Sequence, residues 1–221
     1  MSFGHKVSEY YQSITIPQNL PDEVGVLYPF KDPKVIGLVQ QFCLKYYLGD
    51  HARTFLIGIN PGRFGGGATG IPFTDPMRLE QVLGIENNLD QKAELSSKYI
   101  YDMIEAYGGP EVFYNDCYFT SVSPIGFVKD GKNLNYYDIK ELQDALETYM
   151  VSELRKQMGF GAKPVAFSLG MGRNISFLKK LNAKYQLFKS IEALPHPRWI
   201  MQYRLKRKKE FIDQYITAIK K

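Results

Sequence analysis

Apolar residues along this chain switch between helical and strand periods, and the order of the switches predicts an architecture. Val35, Leu38, Val39, Phe42 and Tyr46 recur at helical spacing, with Asp32-Pro33 ahead of them and Gly49-Asp50 behind. Thr54-Phe55-Leu56-Ile57-Gly58-Ile59 is then a continuous apolar, β-branched run, as expected of a strand buried on both faces. A short helix through Met77, Leu79 and Val82 closes at Gly84, and a longer one runs from Gln91 to Tyr107 until Gly108-Gly109-Pro110 stops it. Glu111 to Phe119 reads as a second strand, although Asn115 and Asp116 make its centre polar. Ser123-Pro124-Ile125-Gly126 turns the chain, and Asp130-Gly131-Lys132-Asn133 reads as a surface turn of little consequence. Tyr137 to Met158 is a long amphipathic helix, Pro164 to Gly170 a third strand, and Met171 to Leu181 a helix. Leu187 to Leu194 is a fourth strand ending at Pro195-His196-Pro197, and Gln202 to Lys220 the last helix. Residues 1 to 33 carry Pro17, Pro21, Pro29 and Pro33 with no sustained period, and read as an irregular arm packed on the rest.

This alternation predicts an α/β fold, a three-layer α/β/α sandwich around a central four-stranded, largely parallel sheet. A chain of 221 residues suits one such domain over residues 1–221. Open α/β sheets bind ligands at the carboxyl ends of their strands. Asn60, Asn115, Gly170 and His196 each lie on or just past a different predicted strand, so one rim is expected to gather them.

Composition narrows the class. Hydrophobic residues make up 44% and charged residues 23% of the chain, and no apolar run approaches the ~18 residues of a membrane span. Met1-Ser2-Phe3-Gly4-His5-Lys6 lacks the apolar core of a signal peptide, so a cytoplasmic protein with no membrane partner is expected. Cys43 and Cys117 are the two cysteines and read as small core residues; with three histidines in all, no metal site is expected. A net charge of +5 allows a polyanionic partner. Sixteen tyrosines and fourteen phenylalanines provide the stacking surfaces on which proteins hold unpaired bases.

The chemistry concentrates after the first strand. Asn60-Pro61-Gly62 ends it, leaving a carboxamide at the sheet edge, and Gly65, Gly66, Gly67 and Gly70 form a loop with little side-chain bulk. Pro72-Phe73 then delivers a ring on a stiff mount, and the combination suggests a pocket for a flat heterocycle. The loop has neither the Lys-Ser/Thr of a P-loop nor GxGxxG opening into a helix, and no GxSxG or HExxH occurs.

Gly58-Ile59-Asn60-Pro61-Gly62-Arg63-Phe64-Gly65, followed by Thr69-Gly70-Ile71-Pro72-Phe73, resembles the first motif of the single-strand-selective monofunctional uracil-DNA glycosylases. Phe113-Tyr114-Asn115-Asp116-Cys117 is similar to the strand in which that family carries its base-reading asparagine, and Val26-Leu27-Tyr28-Pro29 to the arm ahead of its first helix. The family's second motif, HPSPR, is replaced by Leu194-Pro195-His196-Pro197-Arg198. Aligning on Pro-Arg puts Leu194 in the histidine's place; aligning on His-Pro, the preferred choice, keeps His196 and makes Arg198-Trp199 the wedge.

The resemblance implies hydrolysis of the bond between uracil and deoxyribose, with no cofactor, by a monomer acting on uracil-containing DNA. Asn60 would orient the water, and His196 with backbone amides near Gly62 would donate to the leaving base. Phe73 would stack on the flipped base, Asn115 would read its edge, and Gly62 and Phe64 would lie against it. Arg198, Trp199, Arg204, Lys206, Arg207 and Lys208 would contact DNA. A catalytically weak or inactive nucleic-acid-binding protein of the same fold is the alternative.

Overall fold

A computed structural model describes residues 1–221. Its first element is a helix, α1 (Phe3–Ser13), and this corrects the irregular arm expected there. Ser2 caps α1 by accepting from the His5 N–H, and Phe3, Val7, Tyr10 and Tyr11 are buried at helical spacing. The prolines that suggested irregularity all lie beyond α1. β1 (Gly25–Leu27) and a 3₁₀ turn at Pro29–Lys31 lead to α2 (Pro33–Tyr46), where the Asp32 carboxylate accepts from the Lys34 N–H at 2.9 Å and Pro33 occupies the first turn.

β2 (Arg53–Gly58) is buried along its whole length, as its unbroken apolar pattern requires. α3 (Gly66–Thr69), α4 (Pro76–Gln81) and α5 (Leu95–Tyr107) follow. Glu111 to Asp116 are helical, and this is a second correction: α6 (Pro110–Asp116) begins on the proline expected only to end α5. Proline at a first helical position loses no hydrogen bond, so Gly109-Pro110 stops one helix and starts the next. β3 (Cys117–Ser121) starts where the predicted strand was ending.

β4 (Gly126–Lys129) and β5 (Lys132–Leu134) form an antiparallel hairpin that β1 extends into a three-stranded sheet. The turn Asp130-Gly131, with φ of 49° and 69°, has both central residues left-handed, the pairing favoured by hairpin twist. It is therefore the reversal of a hairpin, not an inconsequential surface turn. α7 (Lys140–Met158), β6 (Ala162–Leu169), α8 (Arg173–Tyr185) and β7 (Ser190–Leu194) complete the alternation. The expected last helix is two: α9 (Pro197–Tyr203) and α10 (Lys208–Ile219), joined by a 3₁₀ turn at Leu205–Arg207.

The main sheet has the order β3-β2-β6-β7 and is parallel throughout, flanked by helices, so the predicted fold class holds. A continuous cluster of 57 buried apolar residues forms the core. Tyr118 on β3 faces the layer that contains α1 and α7, where its hydroxyl donates to Gln157 Oε1 at 2.8 Å. Phe119, the next residue, faces the opposite layer and packs on Phe73 and Phe113.

Candidate active site

Because the strands are parallel, their carboxyl ends open on one side, and a cavity of about 600 Å³ lies there. Gly58, Asn60, Gly62, Phe73, Ser121 and His196 are on its wall.

Phe73 is held on the cavity face with φ of 55°, a left-handed conformation that costs a bulky residue of order 1–3 kcal/mol. The neighbouring Thr69 hydroxyl braces this turn by donating to Thr74 O at 2.7 Å. The ring lies so close over Gly58 that a Cβ there would stand 3.0 Å from a ring carbon, so any larger residue at this position in β2 would push the ring off its seat by a few tenths of an ångström. Its centroid is 5.3 Å from Phe119 and 6.4 Å from His196.

Asn60 is fixed at both ends of its carboxamide. Oδ1 accepts from the Tyr136 N–H at 3.0 Å, and Nδ2 donates to Leu134 O at 3.1 Å. The segment leaving β5 thus pairs with the Asn60 side chain as a strand would, and one lone pair of Oδ1 is left free. Gly62 lies beside it on the wall, its carbonyl accepting from the Gly67 N–H at 3.0 Å.

His196 follows β7 and caps α9. Its Nδ1 accepts from the Arg198 N–H at 3.1 Å, so in the neutral ring the proton sits on Nε2. Burial, aided by the Arg198 charge, pushes its pKa down to about 4. The imidazole is neutral near pH 7 and has one N–H left to donate. Leu194, the other candidate for this role, is buried as the last residue of β7, in register with Leu169.

Two assignments are corrected. Asn115 sits at the end of α6, before β3 begins, so the length of β3, roughly 17 Å at 3.3 Å per residue, separates it from the cavity. There its carbonyl accepts from His51 Nε2 at 2.7 Å and its Nδ2 donates to Asp116 Oδ1. Phe64 is absent from the cavity wall. It is 44% exposed on the far side of the Gly62–Gly67 loop, with the Arg63 and Lys92 cations 5.2 and 5.7 Å from its ring centroid.

Arg198 and Trp199 stand at the cavity mouth, and the Arg204 guanidinium lies 4.9 Å over the Trp199 ring. Arg207 pairs with Glu210 and Lys208 with Asp102, each at 2.8 Å, whereas Arg204 and Lys206 pair with no carboxylate. Sequence reasoning passed over Ser121, Asn135 and Glu94, all on the cavity wall. Burial raises the Glu94 carboxyl, with Arg198 and Ser96 opposing the rise. No cluster of His, Cys, Asp or Glu is arranged to hold a metal ion.

A parallel sheet ending in a glycine-lined cavity with a stacking ring, a fixed carboxamide and a neutral histidine defines a class of protein. The sequence profile of the uracil DNA glycosylase superfamily matches residues 45–220, and the chain belongs to that superfamily; it is a uracil-DNA glycosylase, a hydrolase of the glycosidic bond. In structure it is similar to wild-type SMUG2 of Pedobacter heparinus, with a TM-score of 0.96 and 41% identity, over 100% of this chain and 97% of that one. No curated protein matches its sequence.

Proposed function

We propose that this protein, one folding unit acting as a monomer in the cytoplasm, excises uracil from DNA by direct attack of water and leaves the strand uncut. The flipped base stacks on Phe73, whose ring the bare backbone of Gly58 allows to sit deep in the cavity. Cleavage builds negative charge on the departing base and positive charge on the sugar. His196 Nε2–H meets the first at O2, and a water held by the free lone pair of Asn60 Oδ1 meets the second. Asparagine is a poor base, so Asn60 works by placing the water. Backbone at Gly62 borders the same space.

The observation that carries this reading is the hydrogen bond from the Arg198 N–H to His196 Nδ1, which leaves the donor on Nε2 at the cavity wall. No lysine lines the cavity, in keeping with hydrolysis without a Schiff base and so without strand cleavage. Arg198, Trp199, Arg204 and Lys206 contact the DNA, and Arg207 and Lys208, each held in an ion pair, contribute less. Buried, unbridged Cys43 and Cys117 fit a reducing compartment, and no helix is long and apolar enough to cross a membrane.

The test is a gel assay on end-labelled single- and double-stranded oligonucleotides carrying one uracil. Cleavage that appears only after alkali is the expected result. Strand breaks without alkali, or intact uracil with the DNA bound, would reject the proposal.

A further inference from the structure

With Asn115 at the opposite end of the sheet, the polar edge of the base needs another partner, and β3 supplies one. Side chains alternate along a strand, so Ser121 projects from the same face as Phe119, the residue that packs on Phe73. Ser121 is also the register partner of Gly58, over which the Phe73 ring lies. Thr120 points the other way, its hydroxyl donating to Gln157 Oε1 at 2.6 Å.

The Ser121 hydroxyl has one proton, and it donates that proton to Ser123 O at 2.6 Å. A hydroxyl committed in this way can only accept. Uracil presents a donor at N3, whereas cytosine presents a bare acceptor there. An oxygen that only accepts therefore attracts the first base and repels the second.

Other amides on the wall are engaged. Asn60 holds Leu134 and Tyr136 and keeps its remaining lone pair for the water, and Asn133 Oδ1 accepts from the Arg63 N–H and Nε–H. Asn174 donates to Ser168 Oγ and accepts from the Tyr136 hydroxyl, and Gln157 is held by Tyr118, Thr120 and Tyr10. Asn135 lines the cavity with an unpartnered carboxamide and is the competing reader.

We propose that Ser121 Oγ accepts the N3–H of the flipped base and sets the preference for uracil over cytosine, an inference that rests on the uracil-excision reading. The test compares wild type, Ser121→Ala, Ser121→Asn and Asn135→Ala in single-turnover excision from a single-stranded uracil oligonucleotide, with Asn115→Ala as the control. Binding of free uracil and of 3-methyluracil, in which the N3 proton is replaced, is measured in parallel by calorimetry and needs no turnover. Ser121→Ala should slow excision about tenfold, the scale of one neutral hydrogen bond, and Ser121→Asn, whose Oδ1 can accept the same proton, should return it to within about threefold. Wild type should prefer uracil to 3-methyluracil, Ser121→Ala should lose most of that preference, and Asn135→Ala should keep it. A Ser121→Ala protein with the wild-type rate or the wild-type preference overturns the proposal, as does a wild type that binds both bases equally. Loss of the preference in Asn135→Ala alone would assign the reading to Asn135. If wild type removes no uracil, the excision reading fails, and the free-base preference still decides the role of Ser121.

Discussion

Replacing His196 separates two jobs that one ring performs. Nδ1 caps α9 through the Arg198 N–H, and Nε2–H faces the cavity. His196→Ala removes both. Loss of a preorganised donor to a developing oxyanion costs about 2.7–4 kcal/mol, or 10²–10³ in rate. Loss of an N-cap acceptor costs about 1 kcal/mol of stability, which in a chain of this length is a fall in Tm of roughly 2–4 °C. His196→Asn restores the cap, since asparagine is among the best N-cap residues, but its short side chain cannot carry a donor to where Nε2 stood. The two variants should therefore be equally impaired in single-turnover excision, by about 10²–10³, while only His196→Ala melts early. Rates come from quenched-flow assays on a uracil oligonucleotide and Tm from circular dichroism. Excision by His196→Asn within about threefold of wild type would refute the donor role, and an undiminished Tm in His196→Ala would refute the cap.

Protonating His196 puts a second N–H against the Arg198 N–H, and its pKa of about 4 keeps this from happening until the medium is acid. Excision should be flat from pH 8 down to about 5.5 and fall as pH approaches 4, with no inflection at the ordinary histidine value near 6.5; Glu94→Gln tests whether the other titrating group on the wall contributes to the acid limb. The same shift makes the His196 contribution to stability full above about 6.5 and lost as pH drops toward 4, because the unfolded chain takes up the proton first. Asn60→Ala should slow excision at least about tenfold with DNA affinity nearly intact, and should speed amide exchange at Tyr136, whose N–H it leaves unpaired; an unchanged rate would remove Asn60 from the mechanism. Neutralising Arg204 and Lys206 should lower the slope of log affinity against log salt by roughly one to two units, and the same change at the ion-paired Arg207 and Lys208 should lower it less; equal effects would mean that the ion pairs open on binding.

The parts of this site readable from sequence were those encoded locally. The apolar run of β2 and its stop at Asn60-Pro61-Gly62 lie within a few residues of each other, so the strand, its buried setting and the carboxamide at its end could be placed together. His196 was legible for the same reason, directly after β7. Asn115 was misplaced because α6 is short and rich in Val, Phe and Tyr, residues that suit a strand equally well. A strand placed too early moved the residue from the amino end of the sheet to the carboxyl end, and Ser121 was overlooked in consequence. The β4–β5 hairpin was hidden by a different cause: β5 is three mostly exposed residues with no apolar period, and its role is to offer backbone to Asn60, which side-chain patterns do not report. In α1 the helical spacing of Phe3, Val7, Tyr10 and Tyr11 was present, but it was obscured when residues 1 to 33 were read as one segment with their prolines.

Nitrogen NMR of the histidine-labelled protein, with the His196 signal assigned by its loss in His196→Asn, tests most directly for a neutral His196 with its proton on Nε2 at the cavity wall. The expected result is a protonated Nε2 and an accepting Nδ1 from pH 8 to about 5.5, and a shift of the Nε2–H resonance when free uracil binds. A ring protonated on Nδ1, or one that titrates near 6.5, would contradict it.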